Sequence, residues 1–329
     1  MRAATLLPDK GAKRPRGGKA ERQPKVSGAI VECVPNFSEG TDAGRVKAIV
    51  AAMRVDGVHL LDWSMDADHN RSVVTIAGEP AAVVEAAVRS AGKAVELIDL
   101  TGQEGVHPRI GAADVIPFVP VRGLKLEQCV MLARQAGLEI WRRFGVPVYF
   151  YEAAAARPDR KNLEDIRRGQ FEELRDAAQK DPSRRPDLGG PELHPRGGAC
   201  VVGARKFLVA YNIYFDSTDV AMARAIAKEI RAASGGLKGV KAMGVLVHGR
   251  AQLSMNITDF EATPLSVVHR KVVSLAAKHK AAVGEGEIIG LIPEAACERE
   301  SEWMRQLGEF DEETKVLERR LDHPLEWPK

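Results

Sequence analysis

Aromatic residues are scarce in this 329-residue chain, at 5% of the sequence. That scarcity argues against a stacking platform for nucleic-acid bases. Cysteine is scarcer still. Cys33, Cys129, Cys200 and Cys297 stand far apart, and no two form a CxxC pair. A disulfide framework and a zinc site are therefore not expected; reduced thiols in a cytoplasmic protein are. No apolar run approaches the roughly 20 residues that span a bilayer, and the N-terminus lacks the apolar core of a secretory signal. No membrane partner is expected. Strong charge of one sign is also missing from the body of the chain. The net charge is +3, but residues 1–27 carry +6 and residues 298–329 carry −4, which leaves +1 between them. A core that binds nucleic acid would carry a far larger basic excess.

What is present is a chain with 45% hydrophobic and 28% charged residues, long enough for two domains or subdomains. Residues 1–27 are rich in Lys, Arg, Gly and Pro and read as a disordered tail. Strands are expected over residues 30–34, 58–63, 72–77, 112–120 and 146–151. Helical spacing falls between them at Val46, Ile49, Val50 and Met53, and again from Val83 to Val95. The order strand, helix, strand, strand, helix, strand is the split, ferredoxin-like βαββαβ arrangement. Residues 35–40 and 66–71 read as turns, and residues 160–179 as a charged helix. Residues 181–198 hold four prolines and two glycine pairs, so they read as a long loop. The pattern then repeats: strand 207–215, helix 220–233, hairpin 242–247 and 251–257, a helix capped by Thr263 with Pro264 first, and a strand over 287–292. The expected architecture is α/β (α+β), with two ferredoxin-like subdomains facing each other across a substrate cleft. Their expected limits are 28–180 and 181–297, followed by an acidic extension over 298–329, read as a loose terminal helix.

The most chemical stretch is Gly105-Val106-His107-Pro108-Arg109-Ile110-Gly111-Ala112-Ala113-Asp114. Pro108 pushes His107 into extended backbone, so its imidazole stands on a stiff loop beside a strand. An ordinary imidazole titrates near ~6.5 and suits acid–base work at neutral pH. Arg109 has the planar fork that grips a carboxylate. Asp114 is suited either to orient the histidine or to pair with Arg109. Asp66, Asp68 and Asn70 begin like a calcium loop, but Arg71 stands where that loop needs glycine and Ala77 where it needs glutamate. His69, His107 and His194 have no helically spaced histidine partner. No metal is expected. Arg205 and Lys206 place two cations just before a strand.

Five blocks carry a family resemblance. Cys33-Val34-Pro35-Asn36-Phe37-Ser38-Glu39-Gly40 resembles the opening of the glutamate formiminotransferases. So do Asn70-Arg71-Ser72-Val73, His107-Pro108-Arg109-Ile110-Gly111-Ala112, Pro117-Phe118-Val119-Pro120-Val121-Arg122-Gly123 and Gly203-Ala204-Arg205-Lys206-Phe207-Leu208. They keep order and spacing from about residue 30 to about 295. The resemblance implies two α/β subdomains around a cleft. It also implies transfer of the formimino group from N-formimino-L-glutamate to tetrahydrofolate as co-substrate, a late step of histidine breakdown. The family's catalytic histidine falls on His107. Substrate contacts are expected at Asn36, Asp66, Asp68, Asn70, Arg71, Arg109, Arg205 and Lys206. The four bases among them are matched to the carboxylates of glutamate and the folate tail. The folate-binding segment falls on Gly189, Gly190, Pro191, Glu192, Leu193, His194, Pro195, Arg196, Gly197 and Gly198. Within it Glu192, His194 and Arg196 are more charged than the animal form. Ser64, Met65 and Asp66 also depart from the pattern, which leaves the acidic partner of His107 open: Asp66, Asp68 or neither. The resemblance implies a homodimer, and a separate cyclodeaminase to consume the product. Two other readings stand beside it: formyl transfer between 5-formyltetrahydrofolate and glutamate, and a non-catalytic folate- or RNA-binding protein anchored by its basic tail.

Overall fold

The computed structural model describes residues 28–67, 69–105, 107–247, 249–308 and 310–328. The tail expected over 1–27 and the substrate contact expected at Asp68 lie outside the described residues.

The first unit runs β1 (Ile30–Cys33), β2 (Asn36–Phe37), α1 (Ala43–Ala52), β3 (Val58–Asp66), β4 (Arg71–Gly78), α2 (Pro80–Leu97), β5 (Ala113–Arg122), α3 (Leu126–Phe144), β6 (Val148–Glu152), α4 (Leu163–Ile166), α5 (Gln170–Lys180) and β7 (Cys200–Ala204). β1 and β2 act as one strand interrupted at Val34 and Pro35, because both lie between β4 and β5. The turn expected at 35–40 thus begins as sheet. β3 adds to the far side of β4, and these pairings are antiparallel. β7 then pairs parallel with β5, and β6 parallel with β7.

The second unit runs β8 (Val209–Phe215), α6 (Val220–Ile230), β9 (Val240–Val247), β10 (Arg250–Ile257), α7 (Leu265–Lys278) and β11 (Val283–Ile289). Its sheet is antiparallel in the order β11-β8-β10-β9. Two sheets, one per unit, make a mixed α/β chain of two subdomains. Among the described residues no helix is long and apolar enough to cross a membrane.

The helices follow from their apolar stripes and caps. Asp42 caps α1 by accepting from the Gly44 and Arg45 amides, and Val46, Ile49 and Val50 face the core. Pro80 opens α2, whose Val83, Val84, Ala87, Val88, Ala91 and Ala94 are buried. α7 starts one residue later than expected. Pro264 takes the cap position, and the Thr263 hydroxyl donates instead to the Lys238 carbonyl at 2.7 Å.

Three other expectations change. The division between units falls after Ala204 rather than at 180/181, because β7 completes the first sheet. The helix expected over 160–179 is two helices, broken by Gly169 in a left-handed turn. The acidic extension is docked rather than loose. It forms α8 (Glu302–Arg305), α9 (Glu312–Lys315) and α10 (Leu317–Asp322). Trp303 is fully buried beside Tyr211, with ring centroids 5.5 Å apart. Leu317 packs on Ile30, Leu61 and Ala77 of the first sheet. The Arg320 Nε donates to the Leu61 carbonyl, and the Leu325 amide to the Leu60 carbonyl, each at 2.8 Å.

Candidate active site

One end of the first sheet gathers the reactive groups. Asn36 in β2 pairs in register with Val73 of β4 and Val115 of β5. This brings Arg71, Asn36 and Asp114 to neighbouring strand positions. Asp114 is completely buried. Its Oδ1 accepts from the Ile110 amide at 2.9 Å. Its Oδ2 accepts from Arg71 Nη1 at 2.8 Å and also from Arg167 Nη2. Asn36 Oδ1 accepts from Arg71 Nε at 3.1 Å and Nη2 at 2.8 Å, which fixes that guanidinium in its plane. Burial would raise the Asp114 carboxyl, but the Arg167 and Arg71 charges outweigh it and hold the pKa low. Burial pulls Arg71 down to about 10, so it stays charged at neutral pH.

His107 stands at the rim of this cluster. Its Nδ1 is 2.8 Å from the Pro108 carbonyl oxygen. A carbonyl only accepts, so Nδ1 carries the proton and Nε2 presents a lone pair. Burial first, and then the charges of Arg71 and Arg167, push the His107 pKa down to about 3, against an opposing effect of Asp114. The imidazole is therefore neutral at physiological pH, in the form a general base needs.

Asp114 acts on His107 through its charge, which opposes the effects of burial and the two arginines. Asp66 accepts from the His69 amide at 2.8 Å and sits 3.1 Å from His69 Nδ1. The His69 ring lies 6.2 Å from the His107 ring.

Arg109 differs from expectation. Each of its five N–H groups has a protein acceptor: Gln103 Oε1 and O, Gln170 Oε1, and both carboxylate oxygens of Glu172. It does not pair with Asp114 and has no free donor for a substrate. Its work is to anchor the start of α5, where the Phe171 amide also donates to the Arg109 carbonyl at 3.0 Å. That anchored turn carries Arg167. Asn70 is also committed, accepting from the Gly40 amide at 2.9 Å and donating to the Glu104 carbonyl at 2.6 Å. Lys206 reaches Asp259 at 3.1 Å and Glu261 at 3.4 Å, in exposed pairs that join the two units. Arg205 lies near Glu32 and Tyr151, with Nη1 donating to the Lys206 carbonyl at 3.0 Å.

The loop over residues 189–198 lies against the histidine loop. The Ala112 amide donates to the Gly197 carbonyl and the Ala199 amide to the Ile110 carbonyl, both at 2.9 Å. Within the same loop His194 and Arg196 edge a groove of about 690 Å³ with Arg54, Arg89, Lys93 and Phe144, whose lining does not include His107. Among the described residues no group of three or more His, Cys, Asp or Glu is placed to hold a metal ion.

The chain matches the formiminotransferase domain, N-terminal subdomain, over residues 30–205, and the formiminotransferase domain over residues 210–318. The chain belongs to the formiminotransferase family. It is 42% identical over 299 residues to the glutamate formimidoyltransferase of Thermoplasma acidophilum, covering 89% of this chain and 98% of that one. The glutamate formimidoyltransferase of Streptococcus pyogenes serotype M1 is 41% identical over 295 residues, with the same coverage. The formimidoyltransferase-cyclodeaminase of Gallus gallus is 42% identical over 276 residues, which is 81% of this chain but 51% of that protein. The family makes this chain a transferase that moves a formimino group. For this formiminotransferase the sequence named His107 and Arg71 and weighed Asp114. It missed Arg167, which sits in a run of charges that reads as a solvated helix face.

Proposed function

We propose that the chain transfers the formimino group of N-formimino-L-glutamate to N5 of tetrahydrofolate, giving 5-formiminotetrahydrofolate and L-glutamate, with His107 as the acid–base group. The observation that carries this reading is a neutral imidazole, its Nε2 without a hydrogen-bond partner among the described residues, at the edge of a buried Arg71–Asp114–Arg167 cluster. The folate N5 attacks the formimino carbon, and a tetrahedral intermediate forms. His107 Nε2 takes the proton that N5 sheds. The same proton then goes to the departing glutamate nitrogen as its bond to carbon breaks. Such proton transfer is worth roughly 10²–10⁴-fold, and holding both substrates in one site supplies much of the remainder. Neither a covalent enzyme intermediate nor a metal is needed for these steps. The loop over 189–198 is the proposed folate contact, supported by its packing on the histidine loop.

The test is a paired assay. Tetrahydrofolate is offered with N-formimino-L-glutamate and, separately, with N-formyl-L-glutamate, while the folate product is followed. Turnover with the formimino donor alone is expected. Turnover with the formyl donor alone would keep His107 but replace the substrate. Folate binding without turnover of either donor would leave a binding protein and end the enzymatic reading.

A further inference from the structure

The two arginines on Asp114 are not equivalent. Both side chains are about nine-tenths buried, at 10% exposure. Arg71 is held by Asp114 and by two bonds to Asn36. Arg167 bonds Asp114 alone, and its Nε is buried with no hydrogen-bond partner among the described residues. Two guanidiniums share one carboxylate, so the cluster carries an uncompensated positive charge out of water. Buried charge without a partner is costly. An orphaned buried donor on the same side chain marks where the missing anion belongs.

The cation is built into its place. Arg109 ties the start of α5 to the histidine loop through three side-chain bonds, one to Gln170 Oε1 and two to the Glu172 carboxylate, and the Gln170 amide donates back to the Arg167 carbonyl at 2.8 Å. Other basic side chains near the site are less suited. Arg109 has no spare donor, and Lys206 is already paired with Asp259 and Glu261.

We propose that Arg167 receives the α-carboxylate of the glutamyl donor. The inference rests on the reaction proposed above and names the part of the donor that the buried cation recognises. In N-formimino-L-glutamate the α-carboxylate hangs on the carbon that bears the departing nitrogen. It is therefore the donor's nearest anion to the atom that His107 serves. The γ-carboxylate is two carbons farther out. The folate carboxylates lie beyond an aromatic ring and an amide from N5, too remote to reach the same cation during transfer. A carboxylate seated against the Arg167 guanidinium would supply the missing acceptor in fork geometry once a small shift of the side chain brings the buried Nε within reach. It would also cancel the excess charge facing His107, so that the imidazole can hold the proton while the tetrahedral intermediate lasts. Arg167 is thus a specificity-determining residue that also prepares the base.

The test compares binding of L-glutamate, its α-amide L-isoglutamine and its γ-amide L-glutamine to the purified full chain by calorimetry. Wild type and Arg167→Met are measured together, with donor KM, folate KM and kcat. Wild type is expected to prefer L-glutamate over L-isoglutamine by roughly 10–100-fold, as a charge-assisted bond allows. Arg167→Met is expected to lose that preference while still discriminating against L-glutamine, and to raise donor KM without raising folate KM. If Arg167→Met retains the α-carboxylate preference, or loses the γ-carboxylate preference instead, the assignment is overturned. Should Arg167→Met fail to fold, Arg167→Lys keeps the charge without the fork; it is expected to retain part of the preference, and an unchanged preference in it overturns the assignment. Absent turnover of N-formimino-L-glutamate by wild type would sink the reaction and this inference together. Normal wild-type turnover with an unmoved preference would sink the inference alone.

Discussion

His107 owes its protonation state to neighbours that are distant in sequence. Arg71, Arg167, Asp114 and His69 lie around it, and its depressed pKa keeps it unprotonated at neutral pH. Replacing it by glutamine should lower kcat by roughly 10²–10⁴-fold with little change in folate affinity. The acid limb of kcat/KM in wild type should lie well below 6.5, since that profile reports the free enzyme. Arg167→Met removes one cation and should move the limb upward; a pH–rate series on both proteins checks the sign. Glu32 in β1 is a second residue-scale case. Burial, helped by Glu318 and opposed by Arg205, raises its pKa to about 7. A folded-state pKa above the unfolded value gives stability that is complete below about 4.5 and lost as pH rises through about 7. Glu32→Gln should therefore melt higher than wild type at pH 8, by up to roughly 3 kcal/mol at about 1.4 kcal/mol per pH unit. The gap should close near pH 4. Thermal unfolding at the two pH values would refute this if the gap ran the other way.

At the scale of elements, most of the fold was legible in the sequence. Val83 to Val95 announced α2 by spacing, and the alternation of Leu253, Met255 and Ile257 announced β10. β7 was not legible, because Cys200–Ala204 is short, follows a proline-rich loop and gains its meaning from pairing with β5 and β6. Arg167 was hidden for a related reason. It pairs with Asp114, 53 residues earlier in the chain, and no helical period encodes that contact. Two glycines hold the loops of the site together. Gly111 and Gly198 face each other, and a Cβ on Gly198 would run into the Ile110 carbonyl while its backbone sits at φ 67°. Gly198→Ala should cost at least the roughly 1–2 kcal/mol of a left-handed alanine, and should also weaken activity by prising the 189–198 loop from the histidine loop. Denaturant unfolding paired with the folate assay separates those two effects. Equal stability in the variant would contradict the packing described.

On the scale of the whole molecule, the family matches meet near residues 205–210, and the structure changes sheet in the same stretch. Yet the two units are not separable. α10 and the residues after it leave the second unit and cover the first sheet at Ile30, Leu61 and Ala77. Ending the chain after Val316 removes buried Leu317, and a fully buried leucine is worth about 1.5–3 kcal/mol. Such a chain should melt lower and bind a dye for exposed apolar surface; a wild-type melting curve would overturn this view of the docked extension.

The return of α10 onto β3 also orders events during synthesis. Domains made on the ribosome usually close in sequence, at about 5–20 residues per second. Here Leu60 and Leu61 emerge early but meet Leu325 and Leu317 only after more than 250 further residues have been made. The nascent first unit therefore carries an apolar strip that its own residues do not cover, and the growing polypeptide is open to chaperones and to other chains until α10 arrives.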